Sequence, residues 1–181
     1  MVPRHIDTSP EPRLAAAGAA VTLTDIPSFV ETGVLQKNIE VNAAAAQRAG
    51  GSAVASGLDW ADAGRAQQLA ALDGGRGGFQ LVLGSELLYA APILADPPSH
   101  GALIGTLVEA LGLRQGGGAV GLFAQEWHMG FEELFFEEAE EAGLKVETLL
   151  DAQAGTLKVL RLTLQVRAAR WLTACWGAWL L

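Results

Sequence analysis

The chain is short of the residue types on which several kinds of protein depend. Cys175 is its one cysteine, so no internal disulfide can form and no cysteine-based zinc site can assemble. A reducing, cytoplasmic compartment is therefore expected, with the nucleus open as a second. The three histidines, His5, His100 and His128, lack the spacing of metal ligands. They are expected to be ordinary surface or satisfied core residues, and no metal is expected. Basic residues are outnumbered 12 to 20, for a net charge of −8. Phosphate binding needs a basic patch, so nucleic acid is not an expected partner; Arg161, Arg167 and Arg170 are too few to reverse that. An acidic surface suits a cationic partner, such as a protein bearing lysines. No apolar run approaches the ~20 residues needed to span a bilayer. The longest, WLTACWGAWLL, falls well short, and the opening MVPRHIDTSPEPR has no signal-peptide core.

The sequence does contain an alternation of short β-type runs and helical runs over 181 residues, half of them hydrophobic. Such alternation predicts one α/β domain with a largely parallel sheet. Val21 to Asp25 reads as a strand, rich in β-branched residues. A helix is predicted from Pro27 to about Ala49, stopped by Gly50-Gly51. Ser52 to Leu58 is a weaker strand, and a helical piece follows from about Asp62 to Leu72. The glycine-rich run from Asp73 to Gly78 reads as a plain linker, with a flexible binding loop as the other reading. Phe79 to Gly84 is the clearest strand, its apolar run fitting burial on both faces. A helix from His100 to Leu113, a strand from Ala119 to Ala124 and a helix from Phe131 to Ala142 come next. The acidic residues of that last helix read as a solvated face. Leu144 to Leu150 and Thr156 to Leu164 are predicted to close the sheet as an antiparallel hairpin.

In open α/β sheets ligands bind outside the carboxyl ends of the strands. The first strand ends at Asp25, which can accept both hydroxyls of a ribose or cap the next helix. Asp59-Trp60 follows the second strand; a carboxylate can accept from an adenine amine and an indole can cover its face. The plain reading there is an Asx-turn beside a core-packed Trp. Ser85-Glu86-Leu87-Leu88-Tyr89 follows the third strand. Glu86 and Tyr89, three apart, share a face of a helical turn, where they can hold an amine and help to deprotonate it.

The runs VTLTDIP, LQKNIEVN, LDW and FQLVLGSELLY occur in this order and spacing in the protein-lysine methyltransferase group of the seven-β-strand class. The chain resembles that group, and specifically lysine methyltransferase family 16, in four features. These are a strand ending in Asp, a helix with L-x-x-N-(I/V)-x-x-N, a D-W pair, and a (D/E)-x-x-(Y/F) motif. The resemblance covers residues 13 to 164, between an irregular N-terminus (1–12) and a Trp-rich tail (165–181). It implies a Rossmann-like fold and transfer of a methyl group from S-adenosylmethionine to a lysine of a protein partner. Asp25, Asp59, Trp60 and Ser85 would bind the cofactor, with Glu86 and Tyr89 catalytic. A nicotinamide-dinucleotide enzyme is the third and poorest reading.

The resemblance also exposes a gap. The family opens its domain with a strand, central to the sheet, and a loop of the E-x-G-x-G-x-x-G type whose glycines let the backbone approach the cofactor. The corresponding stretch here, Asp7 to Arg13, has no glycine and two prolines. An incomplete sheet is therefore expected, with the strands ending at Asp25 and Ser85 left without a shared neighbour. A truncated gene model is the leading explanation, ahead of a degenerate relative acting as an interaction module and of a substitute element. The tail, with Trp171, Trp176 and Trp179, reads as a non-native extension rather than a membrane-surface helix.

Overall fold

A computed structural model of the protein describes residues 15, 17–88, 99–126, 132–152 and 157–165. The chain divides into two compact units, Met1–Asp59 and Trp60–Leu181. Their sheets are separate: a two-stranded parallel sheet in the first and a four-stranded mixed sheet in the second. The described residues are thus mixed α/β, without a complete seven-stranded sheet among them. The short helical run that the sequence also suggests from Pro12 to Ala17 and the tail fall mostly outside the described residues, as does the turn of the closing hairpin.

The first unit is a single βαβ crossover. Strand β1 (Ala20–Asp25) pairs in parallel with β2 (Ser52–Gly57), in register from Ala20 opposite Ser52 to Asp25 opposite Gly57. The predicted continuous helix between them is two helices, α1 (Pro27–Val30) and α2 (Val34–Arg48). Gly33, with φ +77°, takes a left-handed turn that ends the first helix and starts the second. The Thr32 hydroxyl assists by donating to the Phe29 carbonyl at 2.6 Å. After α2 the chain returns through Gly50-Gly51. A Cβ on Gly51 would lie 2.0 Å from the Ala15 carbonyl oxygen, so only glycine fits there.

The second unit runs α3 (Arg65–Asp73), β3 (Leu81–Ser85), α4 (Gly101–Gly112), β4 (Val120–Glu126), α5 (Glu132–Glu141), β5 (Leu144–Ala152) and β6 (Leu157–Leu164). The strand order is β3-β4-β6-β5. β3 and β4 are parallel, while β6 runs antiparallel to both β4 and β5, so the predicted terminal hairpin is present. Along β4 residues 121, 123 and 125 are buried and their neighbours are not, the period of a strand with one face on the core. That core joins Phe123, Leu160 and Leu162 of the sheet to Leu103, Leu107 and Leu111 of α4 and Phe135 of α5.

Two expectations need correction here. β3 is not buried on both faces: Leu81 is 40% exposed. The strand pairs on one side only, with β4, among the described residues. The glycine-rich run after α3 is not a plain linker either. Asp73 is buried, and its carboxylate accepts from the amides of Gly77 (3.1 Å) and Gly78 (3.0 Å), closing the loop on itself. Charged acceptors satisfy buried amides strongly, which gives five loop residues a defined path.

Candidate functional site

Parallel pairing brings the carboxyl ends of β1 and β2 side by side. The Asp25 carbonyl accepts from the amide of Leu58 at 2.8 Å, so Asp25 and Asp59 stand at the same end of the first sheet. Both are exposed. The Asp25 side chain does not cap α1, whose N-cap is Ile26 and which lacks a side-chain cap. Instead Oδ1 accepts from the Ile26 amide at 2.8 Å, holding the carboxylate at the strand terminus.

Trp60 opens the second unit. It is half-buried and packs against the hydrophobic core. Its carbonyl accepts from Arg65 Nη1 at 2.6 Å, and Arg65 also makes a two-pronged pair with Glu109 on α4, at 2.9 and 3.0 Å. Hydrogen bonding of Arg65 to the Glu109 carboxylate raises the Arg65 pKa above its ordinary value against the opposing effect of burial. A little further on, Asp62 makes an Asx-turn, its Oδ1 accepting from the Gly64 amide at 2.6 Å.

The end of β3 is the most constrained of the strand ends. A Cβ on Gly84 would lie 2.8 Å from both a Leu87 methyl and the Phe123 ring, so glycine lets these side chains pack closely against the end of the strand. Ser85 is exposed. Glu86 then takes φ +56°, the one left-handed non-glycine backbone among the described residues. Its amide donates to the Ala124 carbonyl at 3.0 Å. Its carboxylate reaches the end of β4, where Oε1 accepts from the Glu126 amide (2.8 Å) and Oε2 from Gln125 Nε2 (3.2 Å). Such conformations are costly and cluster at functional sites. Tyr89 lies outside the described residues.

Two residues around Glu86 had no role in the sequence reading. Gln125 occupies a core-facing position of β4 and is buried. Its Oε1 accepts from the Leu88 amide at 3.0 Å, and Nε2 also donates to the Glu126 carbonyl at 2.8 Å. The signal was available: a glutamine in phase with Phe123 on an alternating strand. His100, fully buried, bonds the Leu88 carbonyl through Nε2 at 2.6 Å. A carbonyl only accepts, so Nε2 carries the hydrogen. Among the described residues Nδ1 has no hydrogen-bond partner; it lies 3.6 Å from Glu138 Oε2, the atom that accepts from the His100 amide at 2.6 Å.

Among the described residues no group of three or more His, Cys, Asp or Glu side chains could hold a metal ion. No helix among them is long and apolar enough to cross a membrane. Two concavities stand out among the described residues. One, of about 300 Å³, lies between α2 and the first sheet. The other, of about 700 Å³, lies among α3, α4 and α5. Neither is lined by a predicted site residue, because both sit against helices rather than at strand ends. One glycine pattern escaped the sequence reading. Gly116-Gly117-Gly118-Ala119-Val120-Gly121 has the spacing G-x-G-x-x-G, but it leads into β4. A dinucleotide fingerprint leaves a strand and opens a helix, so this run is a turn. No protein-family model matches the chain, and no curated protein matches it significantly.

Proposed function

We propose that this chain has the architecture of a seven-β-strand methyltransferase and acts as a protein-lysine N-methyltransferase using S-adenosylmethionine. The observation that carries this reading is the strand order. A parallel pair β1–β2 stands in one sheet and β3-β4-β6-β5 in the other, with β6 antiparallel. This is the order of that class with its central strand left out. β1 and β3, each paired on one side only among the described residues, are the strands which that central strand joins in the family.

The residues present fit part of the cofactor. Asp25, an exposed carboxylate anchored at the end of β1, suits a ribose diol; Asp59 and Trp60 suit the adenine, and Ser85 the reacting end. When bound, S-adenosylmethionine would supply a methyl group on its sulfonium sulfur, which an unprotonated amine takes by in-line attack while S-adenosylhomocysteine leaves. Glu86 accepts hydrogen bonds from the lysine nitrogen, aligns it and takes up its proton, with Tyr89 as the second acceptor. The stretch from Asp7 to Arg13, free of glycine, is a poor match for the methionine end, so cofactor affinity is expected to be weak. That same stretch favours the second reading, a non-catalytic interaction module of the same ancestry.

The test is transfer of labelled methyl from S-adenosylmethionine to a protein extract at millimolar cofactor, with the label located by mass spectrometry. Methylated lysine that disappears with Glu86→Ala supports the enzyme. No label at that concentration refutes it in favour of the interaction module. Low-micromolar cofactor binding by calorimetry would overturn the expectation of weak affinity.

A further inference from the structure

We propose that Gln125 is a positioning residue for Glu86: from the core side of β4 it fixes both the left-handed backbone of Glu86 and the direction of its carboxylate. The inference rests on the reading that Glu86 meets a lysine amine, and gives that site a second, buried layer.

A carboxamide at a core-facing strand position is unfavourable unless every polar atom is satisfied. Gln125, 1% exposed, meets that condition in one orientation. Oε1 accepts from the Leu88 amide, and the two hydrogens of Nε2 go to Glu86 Oε2 and the Glu126 carbonyl. Flipping the amide would set two donors against each other at Leu88 and two pairs of acceptors at Glu86 and Glu126. One side chain therefore ties the segment after β3 at two points, the Leu88 main chain and the Glu86 carboxylate. The Leu88 carbonyl is tied separately, to His100.

A residue at φ +56° is most easily glycine, yet the chain has glutamate. The conformation persists because the carboxylate gains two bonds at the end of β4, from Gln125 Nε2 and the Glu126 amide. Each carboxylate oxygen is anchored through one of these bonds. Such anchoring sets the direction in which the carboxylate would meet an ammonium group. With the Gln125 donor lost, Oε2 loses an anchor, and the backbone is expected to relax to negative φ.

The experiment uses the whole chain, isotopically labelled, with n-butylammonium as the probe for a lysine side chain. In the unmutated protein, Glu86 should give the strong intraresidue amide–Hα cross-peak of a positive φ. The Gln125 carboxamide protons should exchange more slowly than those of exposed Gln36. Gln125→Met should abolish the Glu86 signature while leaving cross-peaks of α2 and β5 in place. It should also weaken n-butylammonium binding about tenfold, the scale of one hydrogen bond to a charged group. Gln125→Glu, which keeps an acceptor for Leu88 but removes the donor to Glu86, should do the same if the methionine variant fails to fold. A negative φ at Glu86 in the unmutated chain overturns the proposal, as does a variant that keeps both the signature and the affinity. Absence of saturable n-butylammonium binding to the unmutated chain, with the signature still dependent on Gln125, refutes the lysine reading and leaves the positioning role supported.

Discussion

Replacing Asp73 with alanine should destabilise the second unit, although the residue is remote from the strand ends. Asp73 is 8% exposed and closes the loop that follows α3. Its carboxylate accepts from Gly77 and Gly78, and its carbonyl accepts from Arg76 Nε at 2.7 Å. Alanine keeps the carbonyl and removes both carboxylate bonds. Each hydrogen bond to a charged group contributes ~1.5–3 kcal/mol when nothing replaces it. The two amides are only partly buried, so water recovers part of the loss and ~2–3 kcal/mol in total is expected. For a chain of this size that corresponds to about 5–10 °C in Tm. Asp73→Asn should lose less, since one acceptor oxygen remains. The glycines sharpen the test. Gly77 has φ +88° with open space at its Cβ position, so Gly77→Ala should cost about 1–2 kcal/mol for left-handed backbone alone. A Cβ on Gly78 would lie 2.3 Å from the Arg114 backbone, so Gly78→Ala should cost clearly more. Circular-dichroism melts of the four variants, with amide exchange at residues 77 and 78, provide the measurement. If Asp73→Ala shifts stability by less than about 0.5 kcal/mol, the level of an ordinary surface change, the loop amides are as well served by water and the closure is incidental.

Three further outcomes are expected, the first of which rests on the proposed function. On the proposed function, and in a form carrying the family's glycine-rich loop, Glu86→Ala and Tyr89→Phe should lower the single-turnover methylation rate by ~10²–10⁴-fold with little change in cofactor affinity, whereas Asp25→Ala should weaken cofactor binding first; an undiminished rate in Glu86→Ala would make Glu86 a surface residue. Phe135→Ala should cost ~3–5 kcal/mol in denaturant unfolding, because Phe135 is fully buried and its ring lies 5.5 Å from His100 and 6.5 Å from Phe123, centroid to centroid. The Glu147 carboxylate is held below its ordinary pKa by hydrogen bonds from Lys145 and then Arg161; a depressed folded pKa gives stability that is present above the usual carboxylate range and lost as pH falls through the folded value, so Glu147→Gln should flatten the acid limb of the stability curve, and an unchanged limb would count against the pair.

The order of strands and helices was legible because it is written in local signals. Leu81-Val82-Leu83 has the continuous apolar pattern of a strand, Phe131 to Ala142 carries a helical stripe, and Gly50 and Gly143 take the left-handed turns that end helices. That the described strands would fall short of a complete seven-stranded sheet could also be anticipated, from what Asp7 to Arg13 lacks against the resembled family. Asp25, Asp59, Ser85 and Glu86 could be picked out because position after a strand is a property of the chain itself.

Tertiary structure decided what depends on partners distant in sequence. Gly33 was one glycine inside a helical pattern, and only its φ reveals two helices. Asp73 looked like the first residue of a linker until its carboxylate met amides four and five positions on. Gln125 differs from a surface glutamine only because its strand position turns it into the core, toward Leu88 and Glu86, 37 and 39 residues away. The separation into two sheets likewise depends on which edges find hydrogen-bond partners. Periodicity and turn chemistry act over a few residues and survive in the bare sequence, whereas satisfying a buried amide or a strand edge requires groups that only folding brings within 3 Å.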